Sequence, residues 1–231
     1  MIRLHITAEG RTEERFVNEC LREHLWGFQV CCDARCVLTG RNSKSGKEYR
    51  GGFRMADAYL TVRRDIMNWL AEDGSSDCFF STMFDYYALP EDFPGFREAQ
   101  GVRDKYRRIQ LIEEALKADI GHRRFVPYIQ MHEFEALIFA NPKCLDWEYL
   151  EHDSAIEKLV RLSEEFDNPE LINDSPMTAP SKRIIALIPE HEKNKTSGAV
   201  VASKIGIPRL KEKCPHFREW IERLELLSSL A

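Results

Sequence analysis

The sequence predicts an α/β fold, a mostly parallel sheet flanked by helices, with a helical C-terminal portion. Over residues 1–140, short apolar runs of strand length alternate with segments of helical periodicity, the pattern of a parallel sheet with covered faces. Over residues 141–231, helical segments are cut by prolines and no clear strand remains. Acids also fall at the ends of the predicted strands: Glu9 after the first, Asp85 after the third, and His132 to Glu135 after the fourth. In open α/β sheets, ligands bind outside these carboxyl ends.

The elements follow in order. Ile2 to Thr7 is short, apolar and partly alternating, and reads as a strand; Glu9-Gly10 turns the chain. Phe16, Val17, Cys20, Leu21 and Leu25 recur at helical spacing and predict a helix over about Thr12–Leu25, with Thr12 able to cap it. Phe28–Leu38, between Gly27 and Gly40, is a second strand. Arg41 to Arg54 reads as a basic loop carrying Arg41, Lys44, Lys47, Arg50 and Arg54 among Ser, Asn and Gly. A helix over Met55–Glu72, a strand over Cys78–Phe84, a helix over Arg103–Ala118 and a strand over Phe125–Gln130 complete the core, and a short helix runs through Phe139. Later helices are expected near Ser154–Phe166, Ser181–Ile188, Ala199–Ile205 and Phe217–Leu227. The whole chain reads as one domain, a core of residues 1–140 with residues 141–231 packed on it.

Composition bounds the function. With 43% hydrophobic residues in 231, the chain can bury a sizeable core. A net charge of −5 excludes a globally basic nucleic-acid-binding domain but not a local basic patch. The seven cysteines are odd in number and several lie in apolar runs, which predicts reduced thiols in a cytoplasmic protein. Cys31, Cys32 and Cys36 have no second cluster at ligand spacing, so they argue against structural zinc. No secretory signal opens the chain, no run reaches the ~18 apolar residues of a membrane span, and there is no internal repeat.

The acids carry the chemistry. Glu13 and Glu14 suit the first turn of a helix, where the dipole favours negative charge. Glu9 lies before that helix, and Glu13 precedes Phe16, Val17 and Cys20 on the core-facing stripe. Glu133 and Glu135 would share a face in extended backbone but point about 160° apart in a helix. Phe134, Leu137 and Ile138 indicate that the helix has begun, so one of the two is expected at the site. His132 is a candidate ligand, base or substrate contact, or a structural residue of the junction. Mg²⁺ and Mn²⁺ prefer such hard oxygen donors, and converging carboxylates without a cation would raise one another's pKa.

At these residues the sequence resembles the bacterial family known as domain of unknown function 4276, which is related to Toprim domains. The matching stretches are Ala8 to Phe16, Phe84 to Pro90, and Pro127 to Phe139, continued by Pro180 to Arg183 and Cys214 to Phe217. The resemblance implies a Toprim-like fold with a Glu after the first strand and an Asp-x-Asp after a later one. On this analogy Glu9 is the first acid and Asp85 opens the pair, but Tyr87 stands where the second Asp belongs. It implies a Mg²⁺-dependent (or Mn²⁺-dependent) nuclease or related phosphodiester-processing protein. Glu9, Asp85, Glu133 and Glu135 are then the metal-binding acids, and Glu9, Glu13, Asp85 and Lys182 the catalytic set. Relatives of the family stand beside ATPases of bacterial defence operons, which makes an ATPase a candidate partner.

A phosphodiester substrate, DNA or RNA, needs cationic contacts. Arg41, Lys44, Lys47 and Arg50 are the first candidates; Lys182, Arg183, Lys193, Lys195 and Lys204 form a second set. The backbone at Thr196-Ser197-Gly198, before a predicted helix, could receive phosphate. Tyr86 and Tyr87 are candidates to stack on a base or to pack at the sheet edge. There is no P-loop and no G-x-S-x-G. Tyr87 keeps two further readings open, a non-enzymatic adaptor of an ATPase and a small-nucleotide phosphatase. A homo-oligomer is compatible with all of them.

Overall fold

The protein is described by a computed structural model, covering residues 1–41, 45, 48–53, 58–173, 175–194 and 196–229, with the backbone alone for Arg41. Strand β1 (Ile2–Ala8) leads into helix α1 (Arg11–Phe16), which continues through a π-helical turn (Val17–Leu21) into α2 (Arg22–Trp26). Then come β2 (Val30–Cys36), a hairpin of β3 (Leu38–Arg41) and β4 (Glu48–Arg50), α3 (Ala58–Glu72) and β5 (Cys78–Asp85). The chain continues through α4 (Phe96–Ala99), α5 (Lys105–Ile120), β6 (Phe125–Val126) and β7 (Ile129–Gln130). The C-terminal part holds α6 (Asp153–Glu164), α7 (Pro180–Leu187), α8 (Ser197–Ile205), α9 (Ile207–Lys213) and α10 (Pro215–Glu225).

The sheet order is β2-β1-β5-β6, with β7 also on β5, and every pairing in it is parallel. Parallel strands must be covered on both faces, and alternation along them supplies two cores. Ile2, Leu4 and Ile6 of β1 with Phe79 and Met83 of β5 join Phe16, Leu21 and Leu25 and the C-terminal helices in one apolar cluster. Phe80 and Phe84 of β5 join Val62, Ile66 and Trp69 of α3 and Ile109, Ile112 and Leu116 of α5 in the other.

The edges are closed by side chains. β2 is an edge strand, and the helical run α1–α2 covers its outward polar groups. Asn18 exchanges two hydrogen bonds with the backbone of Ala34 (3.1 and 3.2 Å), Arg22 donates to Cys32 O (2.8 Å), and Cys36 N donates to Glu14 (3.2 Å). On the other side Pro127 interrupts what the sequence reads as one strand, leaving two residues on each side. Thr82 mends the gap: its hydroxyl donates to Tyr128 O (3.0 Å) and accepts from Tyr128 N (2.9 Å).

Several boundaries differ from expectation. The first helix starts at Arg11 with Gly10 at the cap position, so Thr12 lies within the first turn. The Arg41–Arg54 segment is a two-stranded antiparallel hairpin where it is described, and Met55 falls outside the described residues. The segment after Gln130 is a 3₁₀ helix (Phe134–Ala140), and α9 was not foreseen. Among the described residues no helix is long and apolar enough to cross a membrane.

Candidate metal and phosphodiester site

The carboxyl ends of β1, β5 and β7 lie side by side, and each delivers an acid. Glu9 follows β1, Asp85 ends β5, and Glu133 and Glu135 follow β7 by way of His132. His132 has φ 64°. A non-glycine residue in this left-handed region costs roughly 1–2 kcal/mol. Two contacts hold it there: its Nε2 on Glu170 O (2.9 Å), and its own carbonyl accepting from Tyr87 N (2.9 Å). The reversal leaves Glu133 extended, with φ −152° and ψ 167°, and starts the 3₁₀ helix only at Phe134. Both glutamates therefore reach the cluster: each raises the carboxyl pKa of Glu9 and of Asp85. The expectation that only one would contribute assumed that the helix already contained Glu133.

Each acid has a different anchor. Glu9 Oε2 accepts from Asp85 N (3.0 Å), and Glu13 Oε2 folds back on Gly10 N (2.8 Å). Glu133 accepts from Ser181 N in the first turn of α7. Glu135 Oε1 lies 3.8 Å from His191 Nε2, and Gly198 admits it to the start of α8, where a Cβ would meet that oxygen at 3.5 Å. The helix start at Thr196-Ser197-Gly198, the candidate phosphate receiver, thus already has a carboxylate beside it. Asp85 is the exception: its Oδ1 is shielded from solvent and has no hydrogen-bond partner among the described residues.

The electrostatics follow. Glu13 is buried and the other four acids are half-buried. Burial and then the charge of Glu13 push Glu9 up to about 8, against a hydrogen bond from Asp85 that works the other way. Burial raises Glu13 to about 7 and, with the charge of Glu135, Glu133 to about 7. Asp85 is raised well above the ordinary carboxylate range by burial and then by Glu9, Glu13, Glu135 and Glu133. Lys182, exposed on α7, is the cation felt at Glu133, whose pKa it lowers. This is a cluster of carboxyls that burial and mutual repulsion bring to high proton affinity.

The cluster is not closed down on a small ion. Among the described residues, the one set of three ligand groups whose atoms all lie within 4.8 Å is His5, Asp73 and Cys78, at the opposite end of the sheet. That set is already satisfied: His5 bridges Asp33 (2.6 Å) and Asp73 (3.4 Å), and Arg3 pairs with Asp73 at 2.5 Å. Mg²⁺ keeps several waters and takes one or two carboxylates plus substrate phosphate, so it does not require all of the acids to close on it. The donor set and the orphaned Asp85 oxygen therefore fit a hydrated, hard divalent cation.

The basic candidates are placed as follows. Arg50 donates to Cys36 O (3.0 Å) and pairs with Glu48 (2.8 Å), so its guanidinium is engaged within the hairpin. Gly52 N donates to Glu9 O (2.9 Å), which seats the returning arm of the hairpin against the site. Lys44, Lys47, Lys195 and the side chain of Arg41 lie outside the described residues. Lys204 sits over Trp147 (4.3 Å) and Arg183 over Phe166 (5.8 Å). Tyr87, at the position of the second Asp, accepts from Asn173 through its hydroxyl (2.8 Å).

The sequence reading missed the buried group behind Glu135. His191 Nδ1 hydrogen-bonds Tyr149 OH (2.9 Å) and lies 3.2 Å from Ser197 Oγ. These residues come from three separate segments, and His191 sits in a short 3₁₀ turn with no periodicity to mark it.

Fold and site define the class: a parallel α/β protein with a cluster of five carboxylates at the carboxyl edge of its sheet. The chain belongs to the family described as Domain of unknown function (DUF4276), which matches residues 8–225. No curated protein and no solved structure matches it.

Proposed function

We propose that this is a Toprim-like, Mg²⁺- or Mn²⁺-dependent protein acting on phosphodiesters, most simply a nuclease. One observation carries the reading: acids from three strand ends share one field, while Asp85 keeps an oxygen that is both shielded and without a partner. Glu9, Asp85, Glu133 and Glu135 would hold the cation, which when bound supplies charge neutralisation and Lewis acidity toward a phosphoryl oxygen. Glu13 keeps Glu9 and Asp85 at high proton affinity in the absence of the metal. Lys182, exposed and close enough to lower the pKa of Glu133, would meet a phosphate oxygen. The hairpin of β3 and β4, whose returning arm meets Glu9 through Gly52, would supply the flank along which a nucleic-acid backbone runs. The seven free thiols fit a reducing, cytoplasmic compartment.

Calorimetry with Mg²⁺ and Mn²⁺, on wild type and Asp85→Ala, tests this. Binding that the substitution abolishes supports the site and directs a screen of DNA, RNA and nucleotides for cleavage. Absence of binding, both alone and with nucleic acid present, ends the reading. A second reading has its own observation. Tyr87 is tied by backbone and hydroxyl to His132 and Asn173, so it replaces the second Asp with a structural residue. In that case the chain is a non-catalytic adaptor, of an ATPase by family analogy, and its complex survives substitution of the acids.

A further inference from the structure

A cavity of about 260 Å³ lies beside the acid cluster, lined among others by Tyr86, Tyr87, Phe96, Gln100, Lys105 and Arg108. Its place in the fold is set by the site itself. Tyr86 directly follows Asp85, and His132, which also lines the cavity, directly precedes Glu133. A group seated here is therefore chained to the two strand ends that carry the acids.

The walls have a definite chemistry. Four rings stand in a row: Phe96 and Tyr86 (5.9 Å between centroids), Tyr86 and Tyr87 (5.7 Å), Tyr87 and His132 (5.3 Å). The rings of Phe96, Tyr86 and Tyr87 are only half-buried, so part of each π surface faces solvent. Arg108 donates through Nε and Nη2 to Val102 O (3.0 and 2.6 Å) and makes no ion pair among the described residues. Among the described residues its positive charge is thus held in place and not neutralised. Lys105 donates to the carbonyls of Leu171 and Asn173. The Gln100 amide, bonded to Tyr86 OH (3.3 Å), adds a polar group at the rim.

Flat aromatic surface with the Arg108 cation at its border is the chemistry that takes a nucleobase and its phosphate. The volume lies just below the roughly 300 Å³ at which drug-sized pockets begin, which suits one base with its sugar and leaves no room for a duplex. We propose that this cavity is a subsite for a single unpaired nucleobase, whose attached phosphate reaches the acid cluster. The proposal rests on the phosphodiester reading above and makes it specific: the substrate is a nucleotide or a single strand, not a duplex.

The test is binding in EDTA by the full-length protein. The probes are a short fluorescein-labelled single strand, the corresponding duplex, and adenosine monophosphate as competitor. Wild type is expected to prefer the single strand. Tyr86→Ala is expected to weaken it by about 5- to 150-fold, the range for loss of one stacked base, while Tyr86→Phe binds like wild type. Arg108→Gln, a second variant away from the strand ends, is expected to weaken binding and reduce its salt dependence. Competition by the mononucleotide assigns the cavity to free nucleotides, and competition by oligonucleotides alone assigns it to a polymer; either supports the subsite. Equal binding by wild type, Tyr86→Ala and Arg108→Gln, or a duplex bound as tightly as the single strand, or no binding of any probe, overturns it. Metal binding measured without nucleotide reads the acids alone. Metal bound with no effect of Tyr86 sinks only the subsite; Tyr86-dependent binding with no metal bound sinks only the metal reading.

Discussion

Replacing Asp85 with asparagine removes one buried, proton-binding carboxyl from the acid cluster at nearly constant shape, and the consequence has a definite sign. In the metal-free protein Glu9 stands at about 8, and Glu13 and Glu133 each at about 7, against 4.5 for a free glutamate. The folded state thus binds protons that the unfolded chain has released. Stability from these groups is full below about pH 4.5 and is lost as pH rises toward 8. Each tenfold change in proton affinity is worth about 1.4 kcal/mol, so Glu9 alone sets a scale on the order of 5 kcal/mol. For a chain of this size that is a fall in Tm of roughly 10–20 °C. His5 and His216 act in the same direction. Burial lowers both, but Asp33 and Asp73 together outweigh it at His5, and Glu113 with Glu170 and Glu219 at His216, so both end raised and lose their contribution as pH climbs. Those two lie away from the cluster, and their share is common to both proteins. Thermal melts from pH 5 to 8.5 in EDTA should therefore show a steep decline for wild type and a shallower one for Asp85→Asn, which lacks Asp85's own raised carboxyl. Millimolar Mg²⁺ at pH 8 should restore wild type and leave the variant unmoved. Parallel curves for the two proteins, or a wild-type Tm flat over this range, would refute the account of the cluster.

Three further outcomes are expected. Glu9→Gln keeps an acceptor for Asp85 N and should melt within a few degrees of wild type at pH 6, yet lose metal-dependent cleavage of the substrate found by screening. Glu170→Ala orphans the N–H groups of His216 and Phe217, both 2.9 Å from its carboxylate at the start of α10; urea unfolding should show a loss of about 2–4 kcal/mol. Gly198→Ala places a methyl 3.3 Å from Thr12, 3.4 Å from Phe134 and 3.5 Å from Glu135 Oε1, so calorimetric Mg²⁺ affinity should fall about tenfold, with a stability cost of about 1–2 kcal/mol.

What the sequence made legible was whatever depends on local period and strand ends. Apolar runs located β1, β2 and β5, and helical spacing located the α1–α2 run, α3 and α5. The rule that ligands sit at carboxyl edges then picked out Glu9, Asp85 and the Glu133–Glu135 pair before any coordinates. Local pattern could not say that His132 adopts φ 64°. That single backbone choice decides whether both glutamates or one face inward, and it is enforced by Glu170, 38 residues away along the chain. Asn18, Arg22 and Thr82 were equally invisible, because each satisfies backbone groups of a strand that only the tertiary fold brings near. The basic candidates failed to sort themselves for a similar reason. In sequence Arg50 resembles Lys182, but the fold spends Arg50 on Glu48 and Cys36 O and leaves Lys182 exposed and close enough to lower the pKa of Glu133.

The helices after residue 140 are part of the site, not only its support. α7 gives Ser181 N to Glu133, and the start of α8 receives Glu135 through Gly198, with His191 behind it. Without those groups two of the five acids would lose their anchors while keeping their charge, and the cluster would spread to lower its repulsion. The same helices form one apolar cluster with β1 and α1, from Ile2 through Phe16 to Leu227. Glu170 links the two parts again, with its carboxylate on α10 and its carbonyl on His132. The strands supply the carboxylates and the C-terminal helices hold Glu133 and Glu135 in place, while Asp85 alone of the five keeps a shielded oxygen with no hydrogen-bond partner among the described residues.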